Sequence, residues 1–339
     1  MTRPKHFKDG DSLFRYALEL CIDGVPSAPR GMKVKEVPYP VVLILENPAC
    51  PLILSPSRRM NYRFGMAEAM WILSGSDSVD SIAKFNKRMA SYSDDSARMW
   101  GAYGPRLMGQ LPHVIETLKR DSDSRQAVVM TWRPMVHEVQ PSCDSKRGAT
   151  AFSATRAAGI VTESDMVLSR EVGVQRTMFP LPNWDGFSWR SKDVPCTVAW
   201  HFTIRDNKLI LTVFMRSNDV WLGLPYDLLS FTTVQRVVAS MLGVEPGEYR
   251  HVVSNLHMYE ENDESVVDVL CSKHPKRKVV LPPFKVHNLS APLVTLVASD
   301  VLHNKLDSAT DAIPGFDAYY AVIHKQYFAW PDARHVPTR

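Results

Sequence analysis

The spacing of apolar positions divides the chain into short helices and strands. Leu13, Phe14, Ala17, Leu18 and Cys21 recur at helical intervals, predicting a helix over 11–22 with a cap at Asp11 or Ser12. Residues 41–45 are an unbroken apolar run, the pattern of a buried strand. Phe64, Ala67, Met70 and Trp71 share one face of a helix expected over 63–73. A further helix is expected over 105–119 and a strand over 127–132. Residues 197–204 and 209–216 read as two strands joined at Asp206-Asn207, a hairpin signal. Beyond them the pattern predicts a helix over 228–242 ending at Gly243, a strand over 252–257 and a helix over 261–271.

Residues 134–194 differ. Ser, Arg, Thr, Gly and Asp replace the periodic apolar positions, which predicts a loop-rich insertion. No internal repeat occurs. The mixture of strands and helices predicts an α/β class and a single domain over 1–339 carrying that insertion.

Composition narrows the function classes. A chain of 339 residues can bury a sizeable core, and 45% hydrophobic with 22% charged residues is ordinary for a globular protein. A net charge of +4 gives no bulk electrostatic reason for nucleic-acid binding, and the basic run at 273–278 reads as a solvated loop. No apolar run reaches about 18 residues, so no membrane partner is expected. The first six residues lack a hydrophobic signal core. Five scattered cysteines without CxxC spacing predict neither a disulfide framework nor a metal site, and a cytoplasmic setting is expected.

A few residues stand out chemically. Cys196 follows Pro195 at the start of a strand; at an ordinary pKa only roughly 3% of such a thiol is thiolate at neutral pH. Taken alone it is compatible with a structural cysteine. Glu68 lies within an apolar helix, where a carboxylate is costly unless paired or protonated. Arg216 and Ser217 are an anion-binding pair. His257 and Tyr259 alternate on a strand, so one ligand can meet both. Asp227 precedes an apolar helix and suits either an N-cap or a ligand contact.

The stretch 216–227, reading RSNDVWLGLPYD, resembles the thymidylate synthase signature R-S-x-D-x-x-L-G-L-P-F-N. Four further segments follow the family order: 67–75 around Glu68, 101–104 with Tyr103, 123–126 (DSRQ against D-S-R-R), and 255–259 with His257 and Tyr259. The resemblance implies a large mixed, twisted sheet flanked by helices, dimerising sheet to sheet. It implies Cys196 as the nucleophile at pyrimidine C6, with Glu68, Tyr103 and Asp219 handling protons. Arg216, Ser217 and Arg30 would hold the nucleotide phosphate, with Arg125 donated by the partner subunit of a homodimer. His257 and Tyr259 would hold the sugar. Gly223 and Asp227 would meet the base.

The family's final Asn is Asp227 here, which resembles the cytidylate hydroxymethylase branch. The expected activity is 5-hydroxymethylation of dCMP, or of CMP, with 5,10-methylenetetrahydrofolate and water and without a metal. The alternatives are reductive methylation of dUMP or dCMP and a catalytically silent nucleotide- or RNA-binding homologue. Phe85-Asn86-Lys87-Arg88-Met89 stands where methylases carry tryptophans, and residues 335–339 lack the family's apolar closing tail. Both departures favour water capture.

Overall fold

The computed structural model describes residues 4–132, 191–273, 278–284, 290–303 and 316–328. The first half contains β1 (Lys5–Phe7), α1 (Gly10–Ile22), β2 (Val25–Ser27), β3 (Val34–Glu36), β4 (Val41–Leu45), α2 (Tyr62–Leu73), α3 (Val79–Ala83), α4 (Tyr103–Met108), α5 (Leu111–Arg120) and β5 (Val128–Met130). After residue 190 come β6 (Thr197–Arg205), β7 (Lys208–Met215), β8 (Asn218–Asp219), α6 (Leu224–Leu242), β9 (Glu245–Val253), β10 (Leu256–Tyr259), α7 (Asp263–Cys271), α8 (Ala291–His303) and α9 (Phe316–Phe328).

Six strands form one mixed sheet in the order β1-β4-β9-β7-β6-β5, with β1/β4 and β7/β9 parallel and the other neighbours antiparallel. A second, four-stranded sheet runs β2-β3-β10-β8. The hairpin joins β6 to β7 where expected. Asp206 and Asn207 both adopt left-handed backbone, φ 51° and 57°, as a two-residue hairpin turn requires.

The six-stranded sheet has two unlike faces. Along β7, Leu209, Leu211, Val213 and Met215 are buried, while Ile210 and Thr212 are half-buried and Phe214 is exposed. The buried face meets α6, whose residues 228–241 are buried throughout, and α6 packs on α2. Gly65 permits that approach: a Cβ there would lie 2.8 Å from Leu229 Cδ2. A helix buried on nearly every side shows weak amphipathic periodicity. That is why the start of α6, four residues before the expected 228, is not marked by the apolar pattern.

Three expectations shift for local reasons. The α1 cap is Asp9, whose side chain accepts from the Ser12 amide; Asp11 instead is buried and accepts from the Leu54 and Ser55 amides. The helix expected over 105–119 is two helices, α4 and α5, separated at Gly109-Gln110. The strand expected over 252–257 straddles a break: β9 ends at Val253 in one sheet and β10 begins at Leu256 in the other. The insertion expected over 134–194 lies outside the described residues except for 191–194. Contacts divide the chain into one unit of 1–133 with 186–339 and a second of 134–185.

Candidate active site

The break between β9 and β10 builds the site. β10 pairs in parallel with β8, setting His257 opposite Asp219, and the Val220 amide donates to the His257 carbonyl at 2.8 Å. His257 Nδ1 then lies 3.4 Å from Ser217 Oγ. Tyr259 stacks edge-on to His257, with ring centroids 5.6 Å apart. Ser217, His257 and Tyr259, expected at the phosphate and the sugar, thus share one strand junction.

Cys196 stands at the mouth of β6, and its carbonyl accepts from the Arg216 amide at 2.9 Å. The Arg216 side chain folds back over this segment. Its Nε donates to the Pro195 carbonyl at 2.9 Å and its Nη2 to the Val194 carbonyl at 3.1 Å, with Cys196 Sγ 3.7 Å from Nη2. Burial raises the thiol pKa above 9.0; Arg216 lowers it, but burial prevails. The expected activation by Arg216 is therefore present but incomplete in the free chain, which holds Cys196 mainly as thiol.

Glu68, on α2, accepts from Ser230 Oγ of α6 at 3.0 Å. Burial pushes its carboxyl up to about 7, against a smaller lowering by that hydrogen bond. Tyr103, at the start of α4, packs edge-on to Trp200 and Phe231. Burial raises its phenol well above 10, and nearby Cys196 and Asp227 push it further. Asp219 uses Oδ1 to accept from the Trp221 and Leu222 amides, and burial raises its pKa.

Asp227 does not cap α6. Gly223 occupies the N-cap, and Asp227 sits in the first turn with Oδ2 accepting from Asn218 Nδ2 at 2.7 Å. Burial, followed by the charge of Glu68, raises its pKa well above 3.8. Among the described residues no cation contributes to that balance. Gly223 is required by the chain itself as well: a Cβ there would lie 2.9 Å from Asn218 Nδ2 and 3.0 Å from the Asp219 carbonyl.

The structure therefore brings together Cys196, Glu68, Tyr103, Asp219, Asp227, Arg216, Ser217, His257 and Tyr259. Each is half-buried, as residues lining a cleft are. Arg30 is exposed in a left-handed turn, φ 53°, close enough to lower the pKa of both Cys196 and Tyr259. Arg125 is exposed in the turn before the edge strand β5, and among the described residues no contact ties it to Cys196 or Arg216.

Two features escaped the sequence reading. Arg58 is buried, donates to the Trp221 carbonyl at 2.7 Å and lies over the Trp221 ring at 4.8 Å. Asn218, at the variable position of the R-S-x-D motif, joins Asp227 to buried His251. Among the described residues no group of three or more His, Cys, Asp or Glu is placed to hold a metal ion, and no helix is long and apolar enough to cross a membrane.

Residues 180–298 match the thymidylate synthase family. That span contains Cys196, the Arg216–Asp227 loop and the His257–Tyr259 strand. The chain is also similar to three phage proteins named deoxyuridylate hydroxymethyltransferase. The one from Bacillus phage SP01 is 28% identical over 70% of this chain and 53% of its own length. The one from Pseudomonas phage M6 is 30% identical over 72% of this chain and 57% of its own length. The one from Delftia phage PhiW-14 is 27% identical over 82% of this chain and 68% of its own length. The chain thus spans a little over half the length of the first two relatives. The match of residues 180–298 agrees with the resemblance in the motifs. The relatives' names specify uracil, whereas Asp227 had suggested the cytidylate branch.

Proposed function

We propose that this thymidylate synthase relative hydroxymethylates C5 of a 2′-deoxyuridine monophosphate. The observation that carries the reading of the base is the setting of Asp227, which accepts from Asn218 Nδ2 at 2.7 Å and lies near Glu68, where burial raises its pKa and favours the neutral carboxyl. A neutral carboxyl offers one O–H donor and one carbonyl acceptor. That is the same complement as the family's asparagine amide, and it matches O4 and N3–H of uracil. Asp227 therefore does not demand cytosine, and the relatives' names weight the choice toward dUMP.

The remaining roles follow from placement. Cys196 adds to C6, which makes C5 nucleophilic. Glu68, with a pKa of about 7, can hold or give up a proton at working pH, and Tyr103 lies within reach of the same centre. Arg216, Ser217 and Arg30 would bind phosphate, and His257 with Tyr259 the 3′-hydroxyl. The family's one-carbon donor, 5,10-methylenetetrahydrofolate, supplies a methylene at the oxidation level of formaldehyde. Buried Arg58, whose Nε has no partner among the described residues, fits a donor that carries carboxylates. Water capture is supported by exposed Lys87 and Arg88 in the segment 85–89, where methylases carry tryptophans; residues 335–339 lie outside the described residues.

The half-exposed sheet face with Phe214 and Met130 supports a homodimer, in which Arg125 would reach the partner's phosphate site. A second reading, dCMP as substrate, is favoured by Asp227 alone, the acid that stands in place of the family's asparagine. Covalent trapping tests the nucleophile. Incubation with 5-fluoro-dUMP and methylenetetrahydrofolate should give a stable adduct by intact mass with wild-type protein and none with Cys196→Ser. An adduct that forms equally on the serine variant removes Cys196 from the mechanism.

A further inference from the structure

Behind Asp227 lies a chain of polar groups with no solvent contact to satisfy them. Asn218 is 4% exposed, and His251 and Tyr249 are fully buried. Tyr249 and His251 alternate along β9 and so project on the same side. Tyr249 Oη is 2.7 Å from His251 Nδ1, His251 Nε2 is 3.0 Å from Asn218 Oδ1, and Asn218 Nδ2 is 2.7 Å from Asp227 Oδ2.

The donors can be assigned in sequence. Asn218 gives its amide hydrogen to Asp227, so its carbonyl must accept. His251 then donates from Nε2. Burial drives the imidazole pKa down to about 3, so the ring is neutral and its Nδ1 accepts from the tyrosine hydroxyl. Each of the three contacts then has one donor and one acceptor. The opposite polarity would place the Asn218 carbonyl against the carboxyl and spend the single proton of Asp227 there, leaving no donor for the base.

We infer that Tyr249, His251 and Asn218 form a positioning relay that fixes Oδ2 of Asp227 as acceptor and Oδ1 as donor, and thereby selects the pyrimidine base. The inference rests on Asp227 facing the base, as in the proposed function. A free neutral carboxyl is ambiguous. With its proton on one oxygen it complements O4 and N3–H of uracil; with the proton on the other it complements the amino group and N3 of cytosine. Locking the proton removes one of the two. Gly223 belongs to the device, since a side chain there would collide with the Asn218 amide.

The test is the ratio of dCMP to dUMP dissociation constants, by calorimetry, for wild type and four variants. Asn218→Leu and His251→Phe should move the ratio toward unity by about five- to hundred-fold, the span of one unmatched buried hydrogen bond. His251→Gln, which keeps a side-chain N–H donor, should restore most of the discrimination; a merely structural role would not give that rescue. Tyr249→Phe removes one oxygen and little volume, so it serves if the others do not fold, and should shift the ratio in the same direction. A ratio unchanged in folded Asn218→Leu, or in Tyr249→Phe where that variant fails to fold, overturns the relay, as does a wild type that binds both nucleotides equally or neither. Binding is read without turnover. A wild type that discriminates through the relay but makes no hydroxymethylated product would refute the proposed reaction and leave the relay standing.

Discussion

Glu68→Gln tests the central electrostatic feature of the site. The ordinary carboxyl value of 4.5 rises to about 7 in the fold. At about 1.4 kcal/mol per pH unit, that rise amounts to up to about 3 kcal/mol. The sign follows from proton counting. Between pH 4.5 and 7 the folded state keeps the Glu68 proton, while the unfolded chain has lost it. The folded state then binds more protons, so stability falls as pH rises through this window. Below the window the contribution is fully present; above pH 7 it is gone. Glutamine keeps an oxygen for Ser230 Oγ and has no proton to lose. Urea unfolding of both proteins from pH 4.5 to 8 should show the variant gaining on wild type as pH rises, by up to about 3 kcal/mol at pH 8. Nucleotide binding should persist, and turnover should fall by about 10²–10⁴. Parallel stability curves for the two proteins would refute the buried-proton argument. Undiminished turnover would remove Glu68 from the chemistry.

Two other outcomes follow from the same electrostatics. Arg216→Met removes the nearest cation that lowers the Cys196 pKa, so the pH midpoint for iodoacetamide alkylation of Cys196 should move higher still; an unchanged midpoint would show that Arg216 does not tune the thiol. Above the raised Asp227 pKa the ionised carboxylate has no proton for O4, so wild-type dUMP affinity should weaken as pH rises through that pKa, whereas Asp227→Asn should lack this decline; identical pH profiles would mean that Asp227 does not read the base as an acid.

Much of this site is legible in the chain because its residues lie in contiguous motifs. Arg216, Ser217 and Asp219 sit on one loop, and His257 and Tyr259 alternate on one strand, so local spacing already places them together. The hairpin is readable for the same reason, since Asp206-Asn207 tolerates left-handed backbone. Long-range placement is another matter. The β9–β10 break falls at Ser254-Asn255, a polar pair between the apolar residues Val253 and Leu256, and the pattern reads as one strand across it because each flanking residue is buried, though in a different sheet. Asn218, His251 and Tyr249 join through pairings between strands distant in sequence, and a buried histidine in an alternating strand carries no signal of its partner. The upward shift of the Asp227 pKa is likewise invisible in sequence. It arises from burial, then from the charge of Glu68, and it favours the neutral acid, whose donor and acceptor match those of the amide that the motif comparison treated as its opposite.

The account is tested most directly by identifying the nucleotide product. The protein is incubated with methylenetetrahydrofolate and equimolar dUMP, dCMP, UMP and CMP in heavy-oxygen water, and the nucleotides are resolved by mass spectrometry. The account predicts 5-hydroxymethyl-dUMP carrying the heavy oxygen in its new hydroxyl group. A methylated nucleotide, or exclusive hydroxymethylation of a cytosine nucleotide, would contradict it.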